Sequence, residues 1–208
     1  MSNLAQFKVF GIRPQNAIFL PQVPFNLRND GKVGQWKTGE DDYRGKEIEI
    51  SIIKVAQLFG NLGKTTNGFF LQLWFVAAPD CEVLPSNTVC LTYLKTRSIA
   101  QFSQKVTELM EAGEPALGIF KGSFIKHSGD KGDYYSVVWD WRERETEAEI
   151  EQLAQISEFM ATNPKLVDLS VNLIGLDGLP TEEIELIVSS AKAQELEDNS
   201  HYQALAAG

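Results

Sequence analysis

Cys81, Cys90, His127 and His201 are the side chains best suited to hold a soft metal ion, yet they do not fall at zinc-ligand spacing, and the cysteines stand nine positions apart. The run GNLGKTT at 60–66 approaches a phosphate-binding loop. That loop needs glycine at position 58 and a helix after the lysine, whereas the chain has Leu58 and then the strand-like GFFLQLWF. Neither a GxSxG elbow nor an HExxH helix is present. The acid pairs Asp41-Asp42 and Glu182-Glu183 fall in a turn and at a helix start, where solvation and the helix dipole account for them. These patterns point away from an enzyme, and no metal or cofactor is expected.

What remains is a pairing of cations with aromatic rings. A single nucleic-acid strand is held by cations along its phosphates and by rings on which bases stack, at roughly 1–3 kcal/mol per base. Trp36, Lys37, Tyr43 and Arg44 lie in the N-terminal third of such a pattern, and Lys54 and Lys64 flank the first strand turn. Phe70 and Trp74 share one face of a strand, and Lys95 and Arg97 follow the next. Lys121, Lys126, His127 and Lys131 surround a hairpin beside Tyr134. Each has an alternative. Phe70 and Trp74 also suit packing beneath the arm or a C-terminal helix, single lysines are ordinary solvated charges, and Tyr135, Val137, Trp139 and Trp141 read as a core face.

The elements that must position these side chains can be read from periodicity. Residues 1–45 are punctuated by Pro14, Pro21 and Pro24, which disfavour long helices and predict an extended arm. Alternation over 46–59 and 68–77 predicts two strands, the second with Phe69, Leu71, Leu73 and Phe75 on a core face. Thr88–Leu94 reads as a third strand. Ser98 with Gln101 forms a possible capping box opening a helix over Ile99, Phe102, Val106, Leu109 and Met110. Strands at 116–126 and 133–142 enclose the glycine-rich turn HSGDKG. Beyond them, 146–162 predicts a helix with Ile150, Leu153, Ile156 and Met160 on one stripe, 166–174 a short strand, and Thr181 the cap of a last helix that frays from Glu195.

Three strands, a helix and a two-strand hairpin follow the order of an OB-fold, a five-stranded Greek-key barrel with its helix between strands three and four. The expected fold is therefore mainly β with α: an extended arm at 1–45, a barrel at 46–144 and an acidic α/β extension and tail at 145–208. The pattern GIFKGSFIKHSGDKGDYYSVVWDW, a basic strand, a glycine-rich turn and an aromatic strand followed by an acidic region, resembles the single-stranded DNA-binding proteins of phages and plasmids and a cyanobacterial relative. The resemblance covers residues 46–142 and implies strand binding in replication, recombination or strand protection. The bacterial single-strand binders end in an acidic tip closed by Pro-Phe; this chain ends HYQALAAG, so the resemblance does not extend to partner recruitment through that tip.

Charge is unevenly distributed. The formal net charge is −9, but residues 1–144 carry +2 and residues 145–208 carry −11. An acidic chain disfavours a polyanionic partner, and here the excess sits in one third, as a solvated helical face or an appendage that competes with nucleic acid or recruits a protein. No apolar run reaches the roughly 20 residues that span a bilayer, so no membrane partner is expected. The opening MSNLAQFKVFGIRP lacks a signal-peptide pattern, and two cysteines make no disulfide framework, which predicts the cytoplasm. Non-catalytic binding of single-stranded DNA, or of RNA, is the expected function, with a homo-oligomer compatible. The alternative is an assembly module that uses the barrel and the acidic region to bind another protein or itself.

Overall fold

The structure is a computed structural model that describes residues 17–130, 132–168 and 170–206. Among these, ten strands and three helices form. The main sheet is mixed and seven-stranded. It contains β1 (Phe25–Asn26), β5 (Ile48–Leu62), β6 (Thr65–Ala77), β7 (Val89–Lys95), β8 (Ile119–Gly129), β9 (Gly132–Arg142) and β10 (Leu173–Gly175). A second sheet holds β2 (Arg28–Asp30), β3 (Gln35–Thr38) and β4 (Asp42–Gly45). The helices are α1 (Arg97–Ala112), α2 (Glu147–Thr162) and α3 (Thr181–Ala206).

The path through the main sheet runs β1-β7-β6-β5-β8-β9, with β10 beside β5. β5 is long enough to serve three partners. It pairs along its length with β6, at Ile48–Ile50 with β8, and at Leu58–Gly60 with β10. Strict alternation then sorts β6 onto two layers. Leu71, Leu73 and Phe75 enter one core with Ile48, Ile50, Phe120, Val137 and Trp139, covered by Phe102 of α1. Trp74 and Val76 enter a second core on the opposite face, closed by Ile156 and Phe159 of α2 and by Leu166. Phe69, expected on the core face, is 49% exposed and packs over the buried Phe59 of β5, with ring centroids 5.1 Å apart.

The expected five-stranded OB-fold barrel is not formed. Closure would require β9 to pair with β7, and no ladder joins them among the described residues. Both edges are occupied by something else. Phe25 and Asn26 pair with Cys90 and Leu91 of β7, the Leu27 N–H donates to the Leu91 carbonyl at 2.8 Å, and the Asn29 amide donates to the Tyr93 carbonyl at 2.8 Å. On the other side, the Tyr135 N–H of β9 donates to the Gly31 carbonyl at 2.7 Å, and the Val137 N–H donates to the Ser98 hydroxyl at 3.0 Å. Buried backbone groups must find partners. The arm and the start of α1 supply them, so the sheet stays open and a gap is left between β7 and β9.

The same contacts carry two side chains of the arm into the core. Leu27 and Trp36 are fully buried in the first core. The turn between β2 and β3 closes over Gly34, whose φ of +71° suits glycine and where an added Cβ would lie 2.6 Å from the Tyr135 ring.

Element boundaries shift in instructive places. Ser98 lies inside α1 rather than before it; Thr96 is the N-cap and makes no side-chain cap bond, so the expected Ser98–Gln101 capping box is absent. A capping box does form at α2, between Thr146 and Glu149. The stripe of α2 is rotated from the expected one: Ile156 is buried, Ile150 is exposed, and Glu149 and Gln152 are buried instead. The strand expected over 166–174 is reduced to β10, and α3 continues past Glu195 to Ala206. No described helix is long and apolar enough to cross a membrane.

Candidate nucleic-acid interface

The gap between β7 and β9 is a cleft of about 300 Å³. Asn29, Gly31 and Lys32 of the arm form one wall, Lys95, Thr96, Arg97 and Ser98 form the second, and Tyr134, Tyr135 and Ser136 of β9 form the third. Three cations and two tyrosines line it, and no carboxylate does. Lys32, Lys95 and Arg97 have no salt-bridge partner among the described residues.

Arg97 is held by a chain of hydrogen bonds. Its guanidinium lies 2.8 Å from His127 Nδ1, and His127 Nε2 lies 2.7 Å from the Ser136 hydroxyl. A guanidinium only donates, so Nδ1 accepts and the ring proton sits on Nε2, facing Ser136. Ser136 in turn donates to Gln101 Oε1 at 2.7 Å. The His127 ring packs on Tyr134 with centroids 5.0 Å apart, and Arg97 lies 6.0 Å over that same tyrosine. Lys95 reaches Thr65 Oγ1 at 3.4 Å, which ties the start of β6 to the end of β7. Between Lys95 and Arg97, Thr96 adopts φ 47° and ψ −119°, a strained conformation for a β-branched residue. The Ile99 N–H donates to the Thr96 carbonyl at 3.1 Å, but Thr96 offers no side-chain cap, and the first turn of α1 contains no acidic residue.

Of the residues read from sequence, Lys95, Arg97 and Tyr134 line this cleft, and Lys64 does not. The other cations are engaged elsewhere. Lys37 pairs with Asp30 at 2.9 Å and lies over Tyr43; Arg44 pairs with Asp42; Lys121 pairs with Glu47 at 2.7 Å; and Lys126 pairs with Asp133 at 2.6 Å. Each hydrogen-bonded carboxylate raises its lysine's pKa at positions 37, 121 and 126. Lys54 donates to the Leu166 carbonyl at 2.7 Å and so pins the segment after α2.

Three of the expected stacking rings are core residues. Trp36 packs against Phe124 and Trp139 at 5.1 and 6.1 Å and donates from Nε1 to the Gly122 carbonyl. Trp74 donates to Gln72, whose amide donates to the Tyr93 hydroxyl, which donates to Asp168 at 2.7 Å. Phe70 is buried edge-on to Tyr93. Burial, reinforced by Asp168, drives the Tyr93 pKa well up, so this chain stays protonated and structural. None of these three rings offers a face to a base.

Lys32, Ser98, Tyr135 and Ser136 were not among the sequence candidates. Lys32 follows an Asn-Asp-Gly turn in the arm, and nothing local shows that the arm folds back on β9. Among the described residues no three His, Cys, Asp or Glu side chains gather to hold a metal. Burial raises the Cys81 thiol and pushes Cys90 up to about 12, so both are thiols rather than thiolates at neutral pH. Comparison of the chain with family profiles, curated proteins and solved structures finds no match.

Proposed function

We propose that the protein binds single-stranded nucleic acid, DNA in the first instance, without catalysis, and that the cleft between β7 and β9 is where the strand's phosphates are held. The observation that carries this reading is the cleft's composition: Lys32, Lys95 and Arg97 converge with Tyr134 at the start of α1, and no carboxylate lines the site. Anionic phosphate satisfies all of these groups at once, as cation contacts and as an acceptor for N–H groups at a helix start. Tyr134, 38% exposed, offers a ring edge for a neighbouring base or sugar.

The test is fluorescence anisotropy of a labelled oligo-dT of about 30 nucleotides at two salt concentrations. Each phosphate neutralised on a single strand contributes roughly −0.7 to the slope of log affinity against log salt, so affinity is expected to fall as salt rises. Binding that ignores salt, or no binding at low salt, contradicts the reading.

A second reading, a protein-binding module, has one observation in its favour. Cross-strand register places Val55, Phe69 and Ile174 on one face of β5, β6 and β10, and all three are exposed. An apolar contact there is insensitive to salt, which separates it from strand binding in the same titration.

A further inference from the structure

Resting on the nucleic-acid reading, we infer that the cleft captures a terminal phosphate monoester, the phosphorylated end of a strand, rather than a run of internal phosphates. The argument is the placement of charge. A protein that tracks a backbone spreads cations along a groove. Here Lys37, Arg44, Lys121, Lys126 and Arg142 are each neutralised by a carboxylate of the same molecule. Arg28, Lys54 and Arg144 are engaged by backbone carbonyls, whereas Lys32, Lys95 and Arg97, with no carboxylate partner among the described residues, line one cleft. The cleft thus gathers three positive charges in one place.

Charge stoichiometry agrees. An internal phosphodiester carries one negative charge, while a terminal monoester carries about 1.5 to 2 near neutrality and has three acceptor oxygens. Three cations lining one cleft and a first turn of α1 without a side-chain cap or an acidic residue match the more highly charged group. Volume agrees too. About 300 Å³ is at the small end of ligand cavities and holds one nucleotide end, not several successive units. The His127–Ser136–Gln101 chain sets the direction of Arg97 in advance, so its guanidinium loses little freedom when the phosphate arrives.

The experiment is competition against a labelled, 5′-phosphorylated oligo-dT bound to the full chain. Unlabelled competitors are the same oligomer with a 5′-phosphate, with a 3′-phosphate and with hydroxyls at both ends, circular single-stranded DNA, and thymidine 5′-monophosphate. One phosphorylated linear form is expected to compete at least 10-fold better than the hydroxyl-ended and circular forms. Arg97→Gln removes that preference, and Lys105→Gln, whose lysine pairs with Glu108 on α1, keeps it. Melting temperatures of both variants verify that they fold. Equal competition by phosphorylated, hydroxyl-ended and circular strands overturns terminal capture and leaves strand binding standing. Failure of the labelled strand to bind overturns both. Competition by the mononucleotide equal to that of the phosphorylated strand upholds the monoester chemistry and overturns the strand end as its source.

Discussion

At the scale of single residues, Thr96 and Trp36 show how position outweighs residue type. Thr96 takes a positive φ because it must turn the chain from β7 into α1 while Lys95 and Arg97 both face the cleft. Thr96→Gly relieves that strain and is expected to raise stability by about 1 kcal/mol in a denaturant titration while strand affinity is unchanged. An unchanged or lower midpoint shows that the Thr96 side chain makes a compensating contribution. Trp36 was legible as an aromatic among cations, but its partner Gly122 lies 86 residues away in sequence, and no local pattern reports such a contact. Trp36→Ala should cost about 3–5 kcal/mol of stability, since truncating a fully buried ring leaves a cavity between Phe124 and Trp139. A loss of affinity with stability intact contradicts that placement. Lys95 and Arg97 were legible because they follow a clear strand and carry charge at its end. Lys32 was not, because only the tertiary fold of the arm brings it to the site.

At the scale of elements, the docking of α2 depends on a buried carboxylate that helical periodicity did not reveal. Glu149 accepts from Arg142 at 2.6 Å and from the N–H groups of Glu145 and Thr146 at 2.7 and 3.1 Å. The Arg142 bond, opposed by burial and helped by the two N–H groups, lowers the carboxyl from 4.5 to about 2. A folded-state value below the unfolded one means that the unfolded chain binds the extra proton between these values. Stability is therefore full above about pH 5 and falls as pH drops towards 2, by ~2–3 kcal/mol from this group. Glu149→Gln is expected to be less stable at pH 7 and to show a shallower decline across that window; an identical pH profile rules out Glu149 as the group responsible. The capping box of α2, Thr146 with Glu149, was not read from the sequence although its spacing is local. At α1 the same pattern misled, since Ser98 and Gln101 turn instead to Val137 and Ser136 of β9. Strands were the most legible elements, because alternation is fixed by the chain itself. Their closure was not legible, because it depends on which segment reaches an edge first.

Over the whole molecule, the arm and the acidic region act on opposite sides of the sheet. Residues 25–36 fill the edge of β7 and build one wall of the cleft, while α2 and the segment around Leu166 and Asp168 seal the other face with Trp74 and Tyr93. A net charge of −9 repels nucleic acid at long range, so the proposed strand binding has to come from a local site, and it is the phosphate contacts at that site that weaken with salt. Of the cations and rings read from the sequence, the fold brings Lys95, Arg97 and Tyr134 together at one gap, with Lys32 added from the arm. The most direct measurement is amide chemical-shift mapping of the labelled protein during titration with oligo-dT. Shifts concentrated at Gly31–Lys32, Lys95–Ser98 and Tyr134–Ser136 are expected. Shifts centred on Val55, Phe69 and Ile174, or none at saturating strand concentration, would contradict the cleft as the binding site.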